Sequence, residues 1–487
     1  MTNAFPIDGI ILDRGEAANL HRQLYMQLRS LIEQRLLPSG TALPSTRSMA
    51  KDLGVGRNTV IAACDQLALE GYLALRPRTP PVIMALPSTF PSVAKKLNEK
   101  DNSISWRGKI MLAQPYHYGK PGFLAFHPGL PDADNFPFNT WSKLLSKRAK
   151  TARHDLFGTY HVKGYPPLCE AIARYLTTSR GVNCTPDQIV ITNGAQSAFD
   201  LLARLLLDPG DTVWMEEPGY YGAGAAFLAA GAKLAPLKVD EEGWHLVPPT
   251  AKPRLIFATP SCHHPLGVTM PMEQRLNLVQ LAEDWNAWII EDDYDSEYRF
   301  QGHQIPALQG INANNRVVYV GTFAKILFPA MRLGFLVVPD VLRENIATAL
   351  SVTGQFAQLV SQAALADFMN EGHFTKHLRR MRRIYAARRQ YFIEACNEYL
   401  GQWLHLRDVD AGIQLVGLFH DNLDDKLVAK TALEHGVNVS PLSIQFRFGH
   451  AQRGLVMGFA AADQLATKKA MIKLCNMFQS TKFSSLR

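Results

Sequence analysis

Between residues 188 and 339 six short apolar runs recur: QIVIT (188–192), TVWMEE (212–217), RLIFATP (254–260), WIIEDDY (288–294), RVVYVGT (316–322) and GFLVVP (334–339). Helical patterns separate them. Several runs are apolar on both faces, as strands must be when crossover helices cover a mostly parallel sheet on either side. The alternation therefore predicts an α/β fold from about residue 123 onward. Long helices follow beyond residue 340, one of them strongly basic over 377–390 (HLRRMRRIYAARRQ). At 487 residues the chain exceeds one ordinary core, so more than one domain is expected.

The first 84 residues follow a different pattern. Leu24, Leu28, Leu31, Ile32 and Leu36 recur at helical spacing until Pro38-Ser39-Gly40 stops them. Ser45 can cap a short second helix over 46–53, and Gly54-Val55-Gly56 reads as a turn. A third helix is predicted over 57–70, with Val60, Ile61, Cys64, Leu67 and Ala68 facing inward, and residues 72–75 and 82–84 can pair as a small hairpin. Two short helices joined by a glycine turn make a helix-turn-helix. Arg57, Asn58 and Thr59 then open the second of these, where side chains reach base edges in a major groove, and Arg47 lies near a phosphate. Arg76 and Arg78 flank the tip of the hairpin, whose proline-rich turn is stiff. The whole chain carries a net charge of +8, yet this segment holds nine Arg and Lys against seven Asp and Glu. Bulk charge therefore does not locate the DNA-reading end. Residues 85–122, rich in Pro, Ser, Asn and Lys without an apolar period, read as a partly disordered linker.

Other classes fall away. No run of about 18 apolar residues suggests a membrane span, and the N-terminus has no basic stretch leading into an apolar one. Six cysteines without CxxC spacing fit reduced thiols, so a soluble, cytoplasmic protein is expected. Cys262-His263-His264 is contiguous and has no partner pair at ligand spacing, so no metal is expected there. The basic helix at 377–390 could offer a second DNA contact. An amphipathic helix whose arginine stems cover apolar surface is the preferred reading.

The chemistry-bearing residues cluster at strand ends. Lys325, in Gly321-Thr322-Phe323-Ala324-Lys325, follows a buried run; a lysine delivered into a protected site loses ammonium character and can attack an aldehyde. Arg332, seven residues on, has a fork geometry suited to a phosphate, and Thr322 can add a hydroxyl donor. Asp292 ends the run at 288–294, where a carboxylate can pair with a protonated pyridine nitrogen, and Tyr294 can hydrogen-bond a phenolic oxygen on the same ring. Gly194, Ala195 and Gln196 open a helix directly after a strand, a natural phosphate cradle.

The string from Leu24 to Leu73, with its PS-x-R, LGV-x-R-x-TV and L-x-x-EGY elements, resembles the winged-helix domain of GntR regulators. The stretch from FHPGLPDADNFP to GFLVVP, including EEPGYYGA, IIEDDYDSEYRF, PALQG and GTFAKILFPAMRLG, resembles the aminotransferase-like domain of their MocR subfamily. The resemblance implies three parts: a winged helix-turn-helix (1–84), a linker (85–122) and a fold-type I domain with a smaller C-terminal α+β subdomain (123–487). It implies pyridoxal 5'-phosphate as cofactor, with Lys325 forming the Schiff base, Asp292 on the pyridine nitrogen and Tyr294 on the phenolic oxygen. Gly194, Ala195, Gln196, Thr322 and Arg332 map to the phosphate, and Tyr220 to a ring stacked on the cofactor. It further implies a homodimeric regulator that binds operator DNA in response to a small effector, with at most a residual transamination half-reaction. The alternative is a true pyridoxal-phosphate-dependent aminotransferase with an accessory DNA-binding domain; the winged helix favours the regulator.

Three departures stand out. His264 occupies the place of the usual asparagine beside the phenolic oxygen, and Gly222 replaces an effector-binding arginine of some relatives. Ile444 takes the position expected of a carboxylate-binding arginine, leaving Arg447 or Arg453 as substitutes. The effector is accordingly either an amino compound or pyridoxal phosphate itself, and the missing arginines favour the latter.

Overall fold

The computed structural model describes residues 9–15, 18–85, 104–114, 124–151, 153–302, 305–311 and 316–480. The chain divides into two compact units, Met1–Ser103 and Ile104–Arg487. The first contains α1 (Leu20–Glu33), α2 (Thr46–Asp52), α3 (Arg57–Leu69) and a two-stranded ribbon of β1 (Leu73–Ala74) and β2 (Val82–Ile83). Leu24, Leu28, Ile32, Met49, Val60, Cys64 and Leu67 form its core. Ser45 Oγ accepts the Ser48 N–H at 3.2 Å, satisfying a donor that the first turn of α2 leaves open. The helical period misleads at one point: Leu36 is exposed and Leu37 buried. The chain leaves α1 at Gln34 and Arg35 adopts a left-handed backbone (φ 58°), which turns the next side chain outward.

The second unit opens with α4 (Trp106–Leu112), capped by Ser105 Oγ accepting the Gly108 N–H at 3.1 Å. This helix falls inside the segment expected to be a linker; residues 86–103 and 115–123 lie outside the described residues. Then come α5 (Phe138–Thr151), α6 (Arg153–Phe157), α7 (Pro166–Arg180), β3 (Ile189–Thr192), α8 (Ala195–Leu206), β4 (Thr212–Glu217), α9 (Tyr221–Ala229), β5 (Lys233–Asp240) and β6 (Gly243–Trp244). They are followed by β7 (Leu255–Ala258), α10 (Met272–Asp284), β8 (Trp288–Asp292), α11 (Leu308–Ile311), β9 (Val317–Thr322) and β10 (Gly334–Val337). The sheet order is β3-β10-β9-β8-β7-β4-β5-β6. Strands β9, β8, β7, β4 and β5 run parallel, while β10 is antiparallel to both its neighbours. All six runs read from the sequence are strands of this sheet. The fully buried pattern of β3, β7, β8, β9 and β10 explains why they read so clearly. Strand β5 was not foreseen, because Lys233, Pro236 and Lys238 are exposed along it and break the apolar run.

Registry places the strand ends together. Gly334 pairs with both Thr192 and Thr322, so the ends of β3 and β9 flank it at one level. A Cβ on Gly334 would lie 2.9 Å from the Gly194 carbonyl carbon and 3.0 Å from the Gly321 oxygen. Only glycine permits that approach.

After α12 (Arg343–Thr353), α13 (Leu359–Asn370) and α14 (His373–Leu400) comes the expected smaller α+β layer. It consists of β11 (Leu404–Leu406), β12 (Gln414–Phe419), α15 (Asp425–Glu434), β13 (Ser440–Pro441), β14 (Gly454–Gly458) and α16 (Gln464–Gln479). Its sheet is antiparallel, in the order β11-β12-β14-β13. The basic stretch lies in α14, where Phe374, Leu378, Met381, Tyr385 and Phe392 face the core. Arg382 donates to the Glu297 carbonyl at 2.6 Å, Arg388 pairs with Asp132 at 2.8 Å, and Arg389 pairs with Asp408. These arginines serve the fold of their own unit.

Beneath the sheet ends lies a buried ion pair. Arg180 Nε donates to Asp293 Oδ2 at 2.8 Å, with both side chains almost fully enclosed. Tyr319 and Ser296 hydroxyls donate to the same oxygen at 2.5 and 2.9 Å, and Arg180 reaches Ser261 Oγ at 2.6 Å. The guanidinium holds the Asp293 carboxyl below the usual range against the opposing effect of burial. Asp293→Asn would strand the guanidinium and is expected to cost about 3–5 kcal/mol of stability in the second unit. All seven tryptophans lie at or beyond residue 106, so their fluorescence in a denaturant titration follows this unit. A loss under about 1 kcal/mol would show that the pair carries little.

Candidate functional site

The expected cofactor residues converge at the carboxyl ends of the parallel strands, where open α/β sheets bind ligands. Lys325 follows β9, Asp292 ends β8, Tyr294 follows two residues later, and Gly194 precedes α8. Lys325 Nζ donates to the Gly129 carbonyl at 2.7 Å. A Cβ on Gly129, whose φ is +64°, would lie 2.2 Å from Nζ. Burial pushes the Lys325 amine below its ordinary range, opposed by the carboxylates of Asp295 and Asp292. A lysine so placed has more free amine, the form that attacks a carbonyl.

Asp292 is buried and its Oδ1 has no hydrogen-bond partner in the structure. Burial, then the neighbouring Asp293, Glu216 and Asp295, raise its carboxyl well above the usual range, and Lys325 works the other way. A bare carboxylate oxygen in such a place calls for a cationic N–H from a ligand. Tyr294 Oη lies 3.9 Å from Cys262 Sγ, and its ring meets the His264 ring edge-on at 5.9 Å between centroids. Tyr220 meets His264 similarly at 5.5 Å. Two aromatic rings and an imidazole thus wall the space beside Lys325. His264 is held neutral: burial, then the Lys325 charge, lower it to about 4.

The phosphate end has the expected parts. Gly194, at φ +85°, is the N-cap of α8 and supplies no side-chain cap, so the amides of Ala195 and Gln196 stand at the positive end of the helix. Arg332, left-handed at φ 52°, is exposed and donates to the Asn193 carbonyl at 3.2 Å, which brings its guanidinium to the same loop. Thr322 is buried, its hydroxyl accepting the Ala324 N–H at 3.2 Å. Gln196 is turned away, donating to the Gly222 carbonyl at 2.8 Å. The donor set fits a phosphorylated pyridine aldehyde: a lysine for the aldehyde, a carboxylate for the ring nitrogen, and a helix terminus with an arginine for the phosphate.

The two arginines read as effector contacts are held by other partners. Arg447 donates to the Tyr221 carbonyl at 2.8 Å and to Gln114 Oε1 at 2.7 Å, and its guanidinium packs on Gly224 of α9. Arg453 is exposed, donates to the Asn422 carbonyl, and pairs through its backbone with Phe419 at the end of β12. Phe419 is five residues from Gln414, about 17 Å along a strand, and Gln414 is the residue near the site. Sequence reading missed Gly129, Gln414 and Gln445. Gln414 Nε2 lies 3.4 Å from His264 Nδ1, and the buried Gln445 side chain hydrogen-bonds the same ring. Only Gly129 had a signal, the tight GLP turn; the glutamines arrive from the distant small layer.

In the first unit Arg47, Arg57, Asn58, Arg76 and Arg78 are exposed, and Thr59 is half-buried. Arg57, Asn58 and Thr59 form the first turn of α3, and Arg57 Nε lies 3.5 Å from Thr46 Oγ1 at the start of α2. Arg78 takes a left-handed backbone at the ribbon tip.

Comparison with known proteins agrees with both units. Residues 20–83 match the family described as bacterial regulatory proteins, gntR family, and residues 130–451 match aminotransferase class I and II. The chain is 48% identical over 471 residues to the probable rhizopine catabolism regulatory protein MocR of Rhizobium meliloti, covering 96% of each chain. It is 31% identical to the pyridoxine biosynthesis transcriptional regulator PdxR of Corynebacterium glutamicum, covering 93% of this chain and 95% of that one. The LysN α-aminoadipate aminotransferase of Thermus thermophilus, complexed with N-(5'-phosphopyridoxyl)-L-leucine, superposes with a TM-score of 0.68 at 25% identity, covering 75% and 93% of the two chains. A GntR-type helix-turn-helix at one end, an aminotransferase class I and II domain at the other, and near full-length identity to MocR lead to one assignment: the chain belongs to the MocR subfamily of GntR-type transcription regulators.

Proposed function

We propose that this regulator binds pyridoxal 5'-phosphate at the strand-end site, and that its affinity for operator DNA responds to the occupant of that site. The bare, buried Asp292 oxygen within electrostatic reach of Lys325 carries the reading. When bound, the cofactor supplies an aldehyde that condenses with primary amines and a ring that draws electrons. Lys325 holds the aldehyde end, Asp292 keeps a proton on the ring nitrogen, and Tyr294 and His264 border the phenolic oxygen. Tyr220 covers the ring. Arg332, Thr322 and the amides at Gly194, Ala195 and Gln196 hold the phosphate.

The effector is pyridoxal phosphate or an amino compound, and the unit senses rather than turns over. Two relatives are named for rhizopine catabolism and pyridoxine biosynthesis, the second consistent with a pyridoxal compound as the signal. Residues 1–84 read DNA, the part of the expected linker before α4 tethers, and α4 with residues 123–487 senses and assembles a cytoplasmic homodimer whose two winged helices address two half-sites. Arg57, Asn58 and Thr59 meet base edges; Arg47, Arg76 and Arg78 meet the backbone or minor groove.

Borohydride reduction of the cofactor-loaded protein, followed by peptide mapping, should place the label on the peptide containing Lys325. A label on another lysine would contradict the assignment. Gly129→Ala, which drives a methyl into Nζ, should lose most of that labelling; full labelling would mean that the Lys325 side chain can move aside without losing its reactive position.

Arg57→Ala should reduce discrimination between operator and scrambled duplex by about 1–3 kcal/mol while the borohydride label is retained. Equal weakening on both duplexes, with a salt slope lower by about one, would make Arg57 a phosphate contact instead.

A further inference from the structure

Helix α4 is a lightly seated element. It buries no side chain, and Trp106, Met111 and Leu112 are exposed. It packs along α9, and its last turn is finished by Gln114, whose Nε2 donates to the Ile110 carbonyl at 3.1 Å. That carbonyl is one of those a helix end leaves open. The Oε1 of the same side chain accepts from Arg447 Nη1 at 2.7 Å, 333 residues on. One carboxamide therefore closes α4 and also ties it to Arg447.

Arg447 is in turn fixed to the loops that wall the strand-end site. Glu217 Oε1 accepts its N–H at 2.7 Å and that of Phe448 at 2.8 Å, while Nη2 donates to the Tyr221 carbonyl at 2.8 Å. The Gly219 N–H donates to the Gln445 carbonyl at 3.0 Å, and the Gln445 side chain hydrogen-bonds the His264 ring. Two glycines of α9 permit the close approaches. A Cβ on Gly222 would lie 2.5 Å from the Tyr220 ring, and one on Gly224 would lie 2.7 Å from Arg447 Nη2. Contacts thus run from Tyr220 and His264, through residues 445–448, to Gln114 and α4. Residue 104 is also where the second unit begins in sequence after the DNA-reading one.

We propose that Arg447 and Gln114 form a strap that transmits occupancy of the strand-end site to α4, and through α4 to the chain arriving from the DNA-reading unit. This rests on the cofactor reading above and names the route of the signal. An occupant set against Tyr220 and His264 orders the loops at 217–221 and 445–448, and those loops hold Arg447 on Gln114. With the site empty the loops loosen, and a helix that buries so little frays. The occupant acts because it binds the strapped form better than the frayed one.

Hydrogen exchange of the 104–114 segment in the full-length protein reads the strap directly, with and without pyridoxal phosphate. Loading should slow exchange in α4 of the native chain by about tenfold or more, the worth of a hydrogen bond to a charged group. Gln114→Leu should leave exchange fast in both states. Gln114→Glu, which keeps an acceptor for the guanidinium, should restore the slowing. On a duplex selected from random DNA by the native chain, the leucine variant should keep the affinity of cofactor-free protein and the borohydride label on Lys325. Its change in DNA affinity on loading should fall toward one, from a native factor on the order of 5- to 150-fold. Equal slowing in the native and leucine chains, or an equal change in their DNA affinity, overturns the strap. So does a labelled native chain whose α4 exchange or DNA affinity ignores loading, and the cofactor reading then stands without it. A native chain that takes no label at Lys325 loses the cofactor reading itself.

Discussion

Carboxylates crowd the carboxyl ends of the central strands; neighbours compensate some of them, while Glu217, Asp292, Asp295 and Glu297 each keep one buried oxygen without a partner. Asp293 has Arg180, Tyr319 and Ser296. Glu216 accepts from the Thr259 amide and hydroxyl and from Trp244 Nε1, each at 2.7 Å, and burial still lifts it to about 7. Glu291 accepts the Leu308 and Gln309 amides. Asp292, the last residue of β8, interacts electrostatically with both Asp293 and Lys325. Burial disfavours the ordinary charge of Asp292 and of Lys325 alike. Both groups would suit a ligand that brings a pyridine N–H and an aldehyde, as the proposed cofactor does.

How much of this could be read in advance depended on whether the signal was local. Strands buried on both faces announce themselves, and so did the helix-turn-helix, whose cap and glycine turn lie within a dozen residues. Lys325, Asp292, Tyr294 and Arg332 sit at fixed offsets from such strands and were legible for that reason. Strand β5 was not, since its wet positions interrupt the apolar run, and Leu37 replaced Leu36 in the core because one left-handed residue shifted the register. Gln414 and Gln445 could not be found from their neighbours in sequence. Their meaning comes from tertiary contact with His264, more than 140 residues away in the chain.

Arg447 is a different case. Its type and place suggested a ligand contact, yet backbone geometry gives it a different task. Its N–H and that of Phe448 bind Glu217 Oε1, and its guanidinium ties the Tyr221 carbonyl to Gln114. It thus joins the first turn of α9, next to Tyr220, to the segment that continues in sequence toward the DNA-reading unit. A ligand can shift operator binding only if it binds one conformation better than another, and Tyr220 is a residue of the proposed site.

Sensing by the aminotransferase-type unit requires that the two binding events be thermodynamically linked. The most direct measurement closes the cycle: operator affinity with and without the occupant of the site, and occupant affinity with and without operator duplex, on one preparation at one salt concentration. Linked sites give the same coupling factor from both directions, on the order of 5- to 150-fold. A factor indistinguishable from one, with the site demonstrably filled, would show that the occupant does not control DNA binding.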